Sequence, residues 1–196
     1  MTSTTAGGPV ASAIADGRMP GRVWLYTNYH CNLACSYCLT ESSPRSERRE
    51  LTPESMIRVA VEARELGFTG LGVTGGEPFL LPWLPETIVA MAGELPVVLL
   101  SNATLFVGDR LERAAMLAGH DVAIQISLDS HLPDVNDMAR GPDNFVKVVE
   151  AVPRLIARGV RVRIATTTAG PLDDPRLDPL KELVASLGVA PDDHLV

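Results

Sequence analysis

The sequence predicts an α/β fold built on parallel strands. Between residues 22 and 196, short apolar runs alternate with amphipathic stretches that carry helix start and stop signals. Strands that alternate with helices favour parallel pairing through right-handed crossovers. The 196 residues, of which 46% are hydrophobic and 21% charged, suit one globular domain. An open doubly wound sheet and a barrel both satisfy this pattern, and both bind ligands at the carboxyl ends of the strands.

The chain is predicted to divide into a tail at residues 1–20 and one core domain at residues 21–196. The tail is small and polar without a sustained period, so we expect it to be disordered or loosely docked. The first strand, R-V-W-L-Y-T, covers residues 22–27.

The first helix of the core domain has clear end signals. Thr52 is a good helix cap, Pro53 suits the first helical position, and Gly67 ends the helix. The predicted apolar face is formed by Ile57, Val61 and Leu66.

The remaining elements repeat the alternation of strand and helix. The further strands are predicted at residues 70–74, 96–101, 122–129 and 160–166, with the first step of a sixth strand in the final H-L-V. The further helices are predicted near residues 85–94, at 109–117, at 144–158 with a kink at Pro153, and from Asp178 to Gly188.

Charge and hydropathy exclude several classes of function. The net charge is −7 and the sequence pI about 5.1, so the chain lacks the basic surface that general nucleic-acid binding requires. Arg45, Arg48 and Arg49 are interleaved with glutamates and predict a solvated loop. No apolar run approaches the ~18–20 residues of a membrane span, and no secretory signal begins the chain. We therefore expect a cytoplasmic protein.

All three cysteines of the chain, Cys31, Cys35 and Cys38, lie in the stretch H-C-N-L-A-C-S-Y-C. An odd cluster of thiols in a reducing compartment indicates metal ligation or redox chemistry. Thiolates are soft ligands that select iron–sulfur clusters, zinc or copper(I). Three ligands leave a fourth position open, whereas a structural zinc site is normally closed by a fourth Cys or His. His30 is adjacent to Cys31, where joint ligation of one ion is awkward.

Three further polar motifs each follow a predicted strand. They are T-G-G-E-P at residues 74–78, S-N-A-T at 101–104 and S-L-D-S at 127–130. Because the carboxyl ends of parallel strands meet at one rim, we expect these motifs to converge with the cysteine loop.

Together these motifs resemble the signature of the radical SAM superfamily, over roughly residues 22–190. The cysteine loop is similar to its Cys-x3-Cys-x2-Cys motif with an aromatic residue, here Tyr37, before the last cysteine. The resemblance implies a partial TIM-like (βα) barrel of about five to six parallel strands. It also implies a 4Fe–4S cluster held by Cys31, Cys35 and Cys38, with one iron left for the amino and carboxylate groups of S-adenosylmethionine.

The resemblance also implies residues that bind the cosubstrate. Gly75 and Gly76 lack side chains and let the backbone approach a ligand, and Glu77 can accept hydrogen bonds from the methionyl amine. Ser127 and Asp129 alternate along the strand exit, so they point to one face and suit a ribose or a carboxylate group.

Three more residues are candidates on weaker grounds. Asn102 belongs to a turn that resembles a Thr-Asn-Gly motif, although Ala103 replaces the glycine, so that capping of the turn is the alternative role for Asn102. Arg140 matches an arginine of peptide-modifying and sulfatase-maturing members and is expected to contact a carboxylate, with a surface position as the alternative. Tyr37 is expected to pack on the adenine or to shield the cluster.

The function implied is reductive cleavage of S-adenosylmethionine to a 5'-deoxyadenosyl radical, which abstracts hydrogen from a peptide or small-molecule substrate. The electron donor would be of the flavodoxin or ferredoxin type. Two alternatives stay open, namely a catalytically inactive cluster-binding or assembly module and a zinc-stabilised α/β binding module.

The chain departs from the family pattern near its end. It has no cysteine after Cys38, so no auxiliary cluster is expected in this chain. It also ends at Val196, soon after the fifth strand, and a sheet stopped there exposes an edge. We expect that edge to be covered by self-association, by a partner, or by a continuation of the protein.

Overall fold

The computed structural model describes residues 8–168 and 174–196, which form one six-stranded parallel sheet with helices. The strands are β1 (Arg22–Tyr26), β2 (Gly70–Thr74), β3 (Val97–Ser101), β4 (Val122–Ser127), β5 (Arg161–Ala165) and β6 (His194–Leu195). All six predicted strands are therefore confirmed. The fourth ends at Ser127, so Asp129 lies beyond it.

The strand order decides between the two architectures that the sequence left open. The order is β1-β2-β3-β4-β5-β6, and each pair is parallel. A doubly wound sheet reverses direction at a switch point, whereas here every crossover adds the next strand on the same side. Right-handed crossovers in one direction place the helices on one face, as in a barrel.

Seven α-helices lie in the described part of the chain. They are α1 (Pro9–Ala15), α2 (Pro53–Leu66), α3 (Leu84–Ala92), α4 (Asp109–Ala114), α5 (Pro133–Arg140), α6 (Asn144–Ile156) and α7 (Asp178–Ser186). Helix α6 continues past Pro153. Helix α5 was not predicted, because its sequence, P-D-V-N-D-M-A-R, is mostly polar.

Helix α1 was not predicted either, and it lies inside the segment expected to be a tail. None of its residues is buried, but the helix lies close to the end of α2. A Cβ added at Gly67 would be only 2.5 Å from the Cβ of Ala11. Residues 1–7 of that segment lie outside the described residues, and the loosely docked tail stays a prediction.

Helix α2 shows how local signals set an element while packing chooses its face. The hydroxyl of Thr52 accepts the N–H of Ser55 at 3.3 Å, and Gly67 ends the helix in the left-handed region at φ 91°. The expected apolar face was partly wrong: Ile57 packs against the core, but the fully buried residues are Met56, Ala60 and Ala63. Leu66 is left 52% exposed.

The core lies between the helices and one face of the sheet. Leu25, Val73, Leu99, Ile124 and Ile164 alternate with neighbours of the opposite face and belong to one buried cluster that includes side chains of α2, α3, α6 and α7. The opposite face carries Trp24 and Tyr26 of β1, each 45% exposed. This uncovered face corresponds to the interior of a barrel.

The sheet has an edge at β6, which pairs with β5 through only two residues of its own, His194 and Leu195. The expectation that this edge is covered by a partner, by self-association or by a continuation stays a prediction. Among the described residues, no helix combines the length and the apolar character that a membrane span requires. The cytoplasmic location also stays a prediction.

Candidate functional site

The loop that holds the three cysteines begins after β1 and is shaped by backbone hydrogen bonds. The N–H of Cys31 donates to the carbonyl of Ser43 at 3.2 Å, and the N–H of Cys38 donates to the carbonyl of Cys35 at 3.2 Å. All three cysteines are free; Cys31 is buried and the other two are half-buried. Three thiols of one loop are therefore available as ligands.

The thiol of Cys31 is the most enclosed of the three. Its Sγ accepts the N–H of Leu33 at 3.4 Å and the side-chain amide of Asn102 at 3.7 Å. Burial raises the pKa of Cys31 to about 11, against the opposing hydrogen bond from Leu33. Metal binding must therefore displace a proton from this thiol.

Cys38 has the opposite environment. Burial acts to raise its pKa, but hydrogen bonds from Thr40 and Ser42 outweigh burial, so that the pKa is lowered. The N–H of Ser42 lies 3.3 Å from Sγ, and the hydroxyl of Thr40 lies 3.4 Å from it. Burial raises the pKa of Cys35. Cys38 is thus the thiol that ionises most readily.

The donor set fits an iron–sulfur cluster. Within residues 8–168 and 174–196, no three His, Cys, Asp or Glu side chains are grouped so that they could bind one metal ion together. In an iron–sulfur cluster each cysteine binds a different iron, so the thiols surround the cluster instead of meeting at one ion. All three thiols line the same cavity, as such a ligand set requires.

The glycine pair lets the loop after β2 lie directly against the loop after β1. A Cβ at Gly76 would lie 2.2 Å from the carbonyl oxygen of His30, and one at Gly75 would lie 2.4 Å from Oδ1 of Asn28. The N–H of Gly76 donates to the Asn28 carbonyl at 2.9 Å, and that of Glu77 donates to the His30 carbonyl at 3.1 Å. The two loops are therefore joined next to Cys31.

Glu77 follows the glycine pair directly, and its carboxylate is fully buried. Oε1 accepts the N–H of Phe79 and the hydroxyl of Ser101, both at 3.0 Å, and Oε2 accepts the N–H of Asn102 at 2.8 Å. Burial raises the pKa of Glu77 to about 7, and these hydrogen bonds oppose the rise. The carboxylate thus joins the loops after β2 and β3.

The turn after β3 keeps a glycine-like backbone without a glycine. Ala103 has φ 61°, in the left-handed region, and is only 1% exposed. The amide of Asn102 donates to Oδ1 of Asn32 at 3.0 Å, and Asn102 Oδ1 accepts the N–H of Thr104 at 3.0 Å. Asn102 therefore caps the turn and also reaches the cysteine loop.

Asp129 and Arg140 form a buried ion pair beside the cysteine loop. Nε of Arg140 donates to Oδ2 of Asp129 at 2.7 Å, and Nη2 donates to Oδ1 at 3.2 Å. The same carboxylate accepts the N–H of Thr167 at 3.0 Å and the hydroxyl of Tyr37. Burial, followed by the Asp129 hydrogen bond, raises the pKa of Tyr37. Arg140 thus contacts a carboxylate of its own chain, that of Asp129, and its contact with the cosubstrate stays a prediction.

Two adjoining cavities open at the carboxyl ends of the strands. The first, of about 140 Å³, is lined by the three cysteines together with Thr74, Gly76, Asn102, Ser127 and Arg140, among others. The second, of about 400 Å³, shares Cys38 and Thr74 and adds Trp24, Tyr26, Tyr37 and Gly75. Its volume lies within the ~300–1,000 Å³ of small-molecule sites. Glu77 and Asp129 line neither cavity.

Comparison with known families identifies the chain. The family model of the radical SAM superfamily matches residues 25–184, from the first strand into the last helix. The chain belongs to the radical SAM superfamily. The resemblance drawn from the cysteine loop is confirmed, and so are a 4Fe–4S cluster and S-adenosylmethionine as the cofactors of this family.

Curated relatives of this radical SAM chain act in different reactions, as their names state. Mycofactocin maturase MftC of Mycobacterium ulcerans (strain Agy99) is 34% identical over 155 residues, which are 74% of this chain and 40% of MftC. GTP 3',8-cyclase of Chlorobaculum tepidum is 32% identical over 145 residues, 72% of this chain and 42% of the cyclase. The chain thus spans about two fifths of the length of these relatives.

Solved radical SAM structures share the fold. SuiB of Streptococcus suis bound to S-adenosylmethionine has a TM-score of 0.73 at 16% identity and covers 91% of this chain and 41% of SuiB. The structure of anSMEcpe with bound AdoMet has a TM-score of 0.60 at 19% identity, and the match covers 74% of this chain and 43% of anSMEcpe. The predicted partial barrel of five to six parallel strands is therefore confirmed.

Several residues of the radical SAM site were missed by the sequence analysis. Thr40 and Ser42 contact Cys38, Asn32 contacts Asn102, and Asn28 links both loops. These are common polar residues in loops, where composition gives no signal of a long-range contact. Their closeness in the sequence to the cysteine motif is the one signal that could have indicated them.

Proposed function

We propose that this chain holds a 4Fe–4S cluster through Cys31, Cys35 and Cys38 and cleaves S-adenosylmethionine reductively. The observation that carries the proposal is that three free thiols of one loop line one cavity at the carboxyl ends of the strands. When bound, the cluster and cosubstrate supply the electron and the carbon–sulfur bond whose cleavage yields a 5'-deoxyadenosyl radical. Three protein ligands leave one iron for the cosubstrate.

The loop after β2 is proposed to receive the methionyl amine. Gly76 lines the cysteine cavity and Gly75 lines the adjoining one, so their backbone forms the surface available to a ligand. The buried carboxylate of Glu77 supports that surface from behind by holding the neighbouring loop. Its direct contact with the amine stays a prediction.

The remaining candidates are residues proposed to contact the cosubstrate and residues proposed to act on the site through an ion pair. Ser127 and Asn102 line the cysteine cavity and are proposed to contact the cosubstrate through their polar side chains. Tyr37 lines the adjoining cavity and is proposed to contact the adenine. Asp129 and Arg140 are proposed to act on the site through the ion pair between them.

A peptide is the substrate class that the site favours. The adjoining cavity is lined by Trp24, Tyr26, Tyr37 and Leu39, and no Lys or Arg is among its described lining residues. A nucleoside triphosphate requires cationic partners for its phosphates, whereas peptide side chains pack well on aromatic rings. The relative MftC is named a maturase, and SuiB has been solved bound to the precursor peptide SuiA. The electron donor is proposed to be of the flavodoxin or ferredoxin type.

The test is anaerobic reconstitution of the chain with iron and sulfide, followed by addition of S-adenosylmethionine and dithionite. We expect a brown protein that absorbs near 400 nm (roughly where thiolate-ligated clusters absorb) and forms 5'-deoxyadenosine. Cys31→Ser, Cys35→Ser and Cys38→Ser should each lose iron and product. Ser186→Ala, on the outer helix α7, is the matched control and should keep both.

The outcomes separate the proposal from its alternatives. Cluster formation without 5'-deoxyadenosine would indicate a cluster-binding module and contradict the activity. Zinc without iron would indicate a zinc-stabilised binding module and contradict the cluster as well.

A further inference from the structure

The Arg140 guanidinium is held in one place by its surroundings. Its side chain is 7% exposed and that of its partner Asp129 is 11% exposed, so both charges are largely removed from water. The bidentate geometry fixes the plane of the guanidinium. Because the Asp129 carboxylate is also held by Thr167 and Tyr37, the position of the positive charge is determined from several sides.

The end of α5 also fixes the middle of the cysteine loop. The N–H of Ser36 donates to the carbonyl of Ala139 at 2.9 Å, and the thiol of Cys35 lies 3.6 Å from the carbonyl of Arg140. The guanidinium of Arg140 lies 5.3 Å from the centre of the Tyr37 ring, within the range of a cation–π contact. Backbone and side chain of Arg140 thus both engage the segment that carries Cys35.

The charge of Arg140 acts on a site that becomes strongly negative when metal binds. Arg140 lines the cavity that the three thiols share, and its guanidinium lies over the ring of Tyr37, which stands between Cys35 and Cys38 in the sequence. A reduced cluster carries one more negative charge than an oxidised one. A fixed positive charge close by therefore favours the reduced state, and a fixed negative charge disfavours it.

We propose that Arg140 is a positioning residue for the iron–sulfur cluster, held by Asp129, and that its guanidinium makes the cluster easier to reduce. This inference rests on the proposed function, because it requires a cluster on the three cysteines. It gives Arg140 a role toward the cluster and Asp129 a role in orienting Arg140. Both residues then act without touching the reacting atoms.

The test is a potentiometric titration of the reconstituted cluster, read by electron paramagnetic resonance, without substrate or cosubstrate. Arg140→Gln should shift the midpoint potential to a more negative value. Asp129→Asn, which keeps the shape of the side chain, should shift it to a more positive value. Arg140→Lys keeps the charge and should shift it less than Arg140→Gln. Arg154→Gln, an exposed arginine on α6, is the control and should leave the potential unchanged.

The sign of the two shifts distinguishes charge from loosening of the loop. A loop that merely became less ordered would move the potential in the same direction in both variants, and that result would overturn the inference. So would an unchanged potential. If Arg140→Gln holds no cluster, Asp129→Asn decides alone, a positive shift supporting the inference and any other result overturning it. A wild-type chain without a cluster would refute the proposed function itself, and the inference with it.

Discussion

The carboxylate of Glu77 accepts the backbone N–H of Asn102 at 2.8 Å, so one fully buried side chain joins the loops that follow β2 and β3. Asn102 lines the cysteine cavity, whereas Glu77 does not. The contact explains how a titratable group can be part of the site without lining it.

The free energy of unfolding should depend on pH through Glu77. Its pKa is raised from 4.5 to about 7 in the folded chain, so between these values the folded state binds a proton that the unfolded state lacks. The contribution is fully present below pH 4.5 and is lost as the pH rises through about 7. A shift of this size corresponds to about 3 kcal/mol.

Chemical unfolding of the metal-free chain at several pH values between 5 and 8 measures this slope. Glu77→Gln should remove the part of the slope that Glu77 causes, although it lowers stability overall because one acceptor oxygen is lost. Glu182→Gln, at an exposed position of α7, should keep the wild-type slope. A wild-type slope in Glu77→Gln would show that another group is responsible.

Gly76→Ala should separate the two loops that meet beside Cys31. The added Cβ would lie 2.2 Å from a backbone oxygen of His30, which cannot move as a flexible side chain can. We expect a loss of about 1–3 kcal/mol in the free energy of unfolding, as for other overpacked sites. We also expect a lower iron content after reconstitution. Gly8→Ala meets open space and should change neither quantity appreciably.

Trp24 and Gly72 should show coupled stabilities, since they face each other across β1 and β2. A Cβ at Gly72 would lie 2.3 Å from the Trp24 ring, so Gly72→Ala must displace the indole. The double variant Gly72→Ala/Trp24→Ala should be more stable than the sum of the single effects predicts. Additive effects would contradict the contact. In a Trp83→Phe background, the emission of Trp24 should change on Gly72→Ala.

Asn136 should be essential to the unpredicted helix α5. Its Oδ1 accepts the N–H of Asp129 at 3.1 Å, and its amide donates to Asn144 Oδ1 at 2.9 Å. Asn136 itself is fully buried. Asn136→Leu leaves both partners unsatisfied, at about 1–3 kcal/mol for each buried group. Urea unfolding measures the loss. Val135→Leu, on the exposed side of α5, is the control and should stay close to wild type.

The sequence predicted the strands and the candidate site, because their signals are local. Thr52, Pro53 and Gly67 set the ends of α2 through contacts a few residues away, and the expected ends agree with the structure. The predicted buried side of α2 was partly wrong, since Met56, Ala60 and Ala63 are its buried residues. That choice depends on the shape of elements distant in the chain.

The sequence alone establishes the alternation of strands and helices, the three cysteines of one loop, and the motifs that follow successive strands. Folding was needed to distinguish a doubly wound sheet from a barrel, because strand order depends on pairing between distant segments. It also decided that Asp129 is held by Tyr37, Arg140 and Thr167. A carboxylate is free to meet a ligand or occupied by the chain according to which donors folding brings beside it, and these donors lie 11, 38 and 92 residues away in the chain.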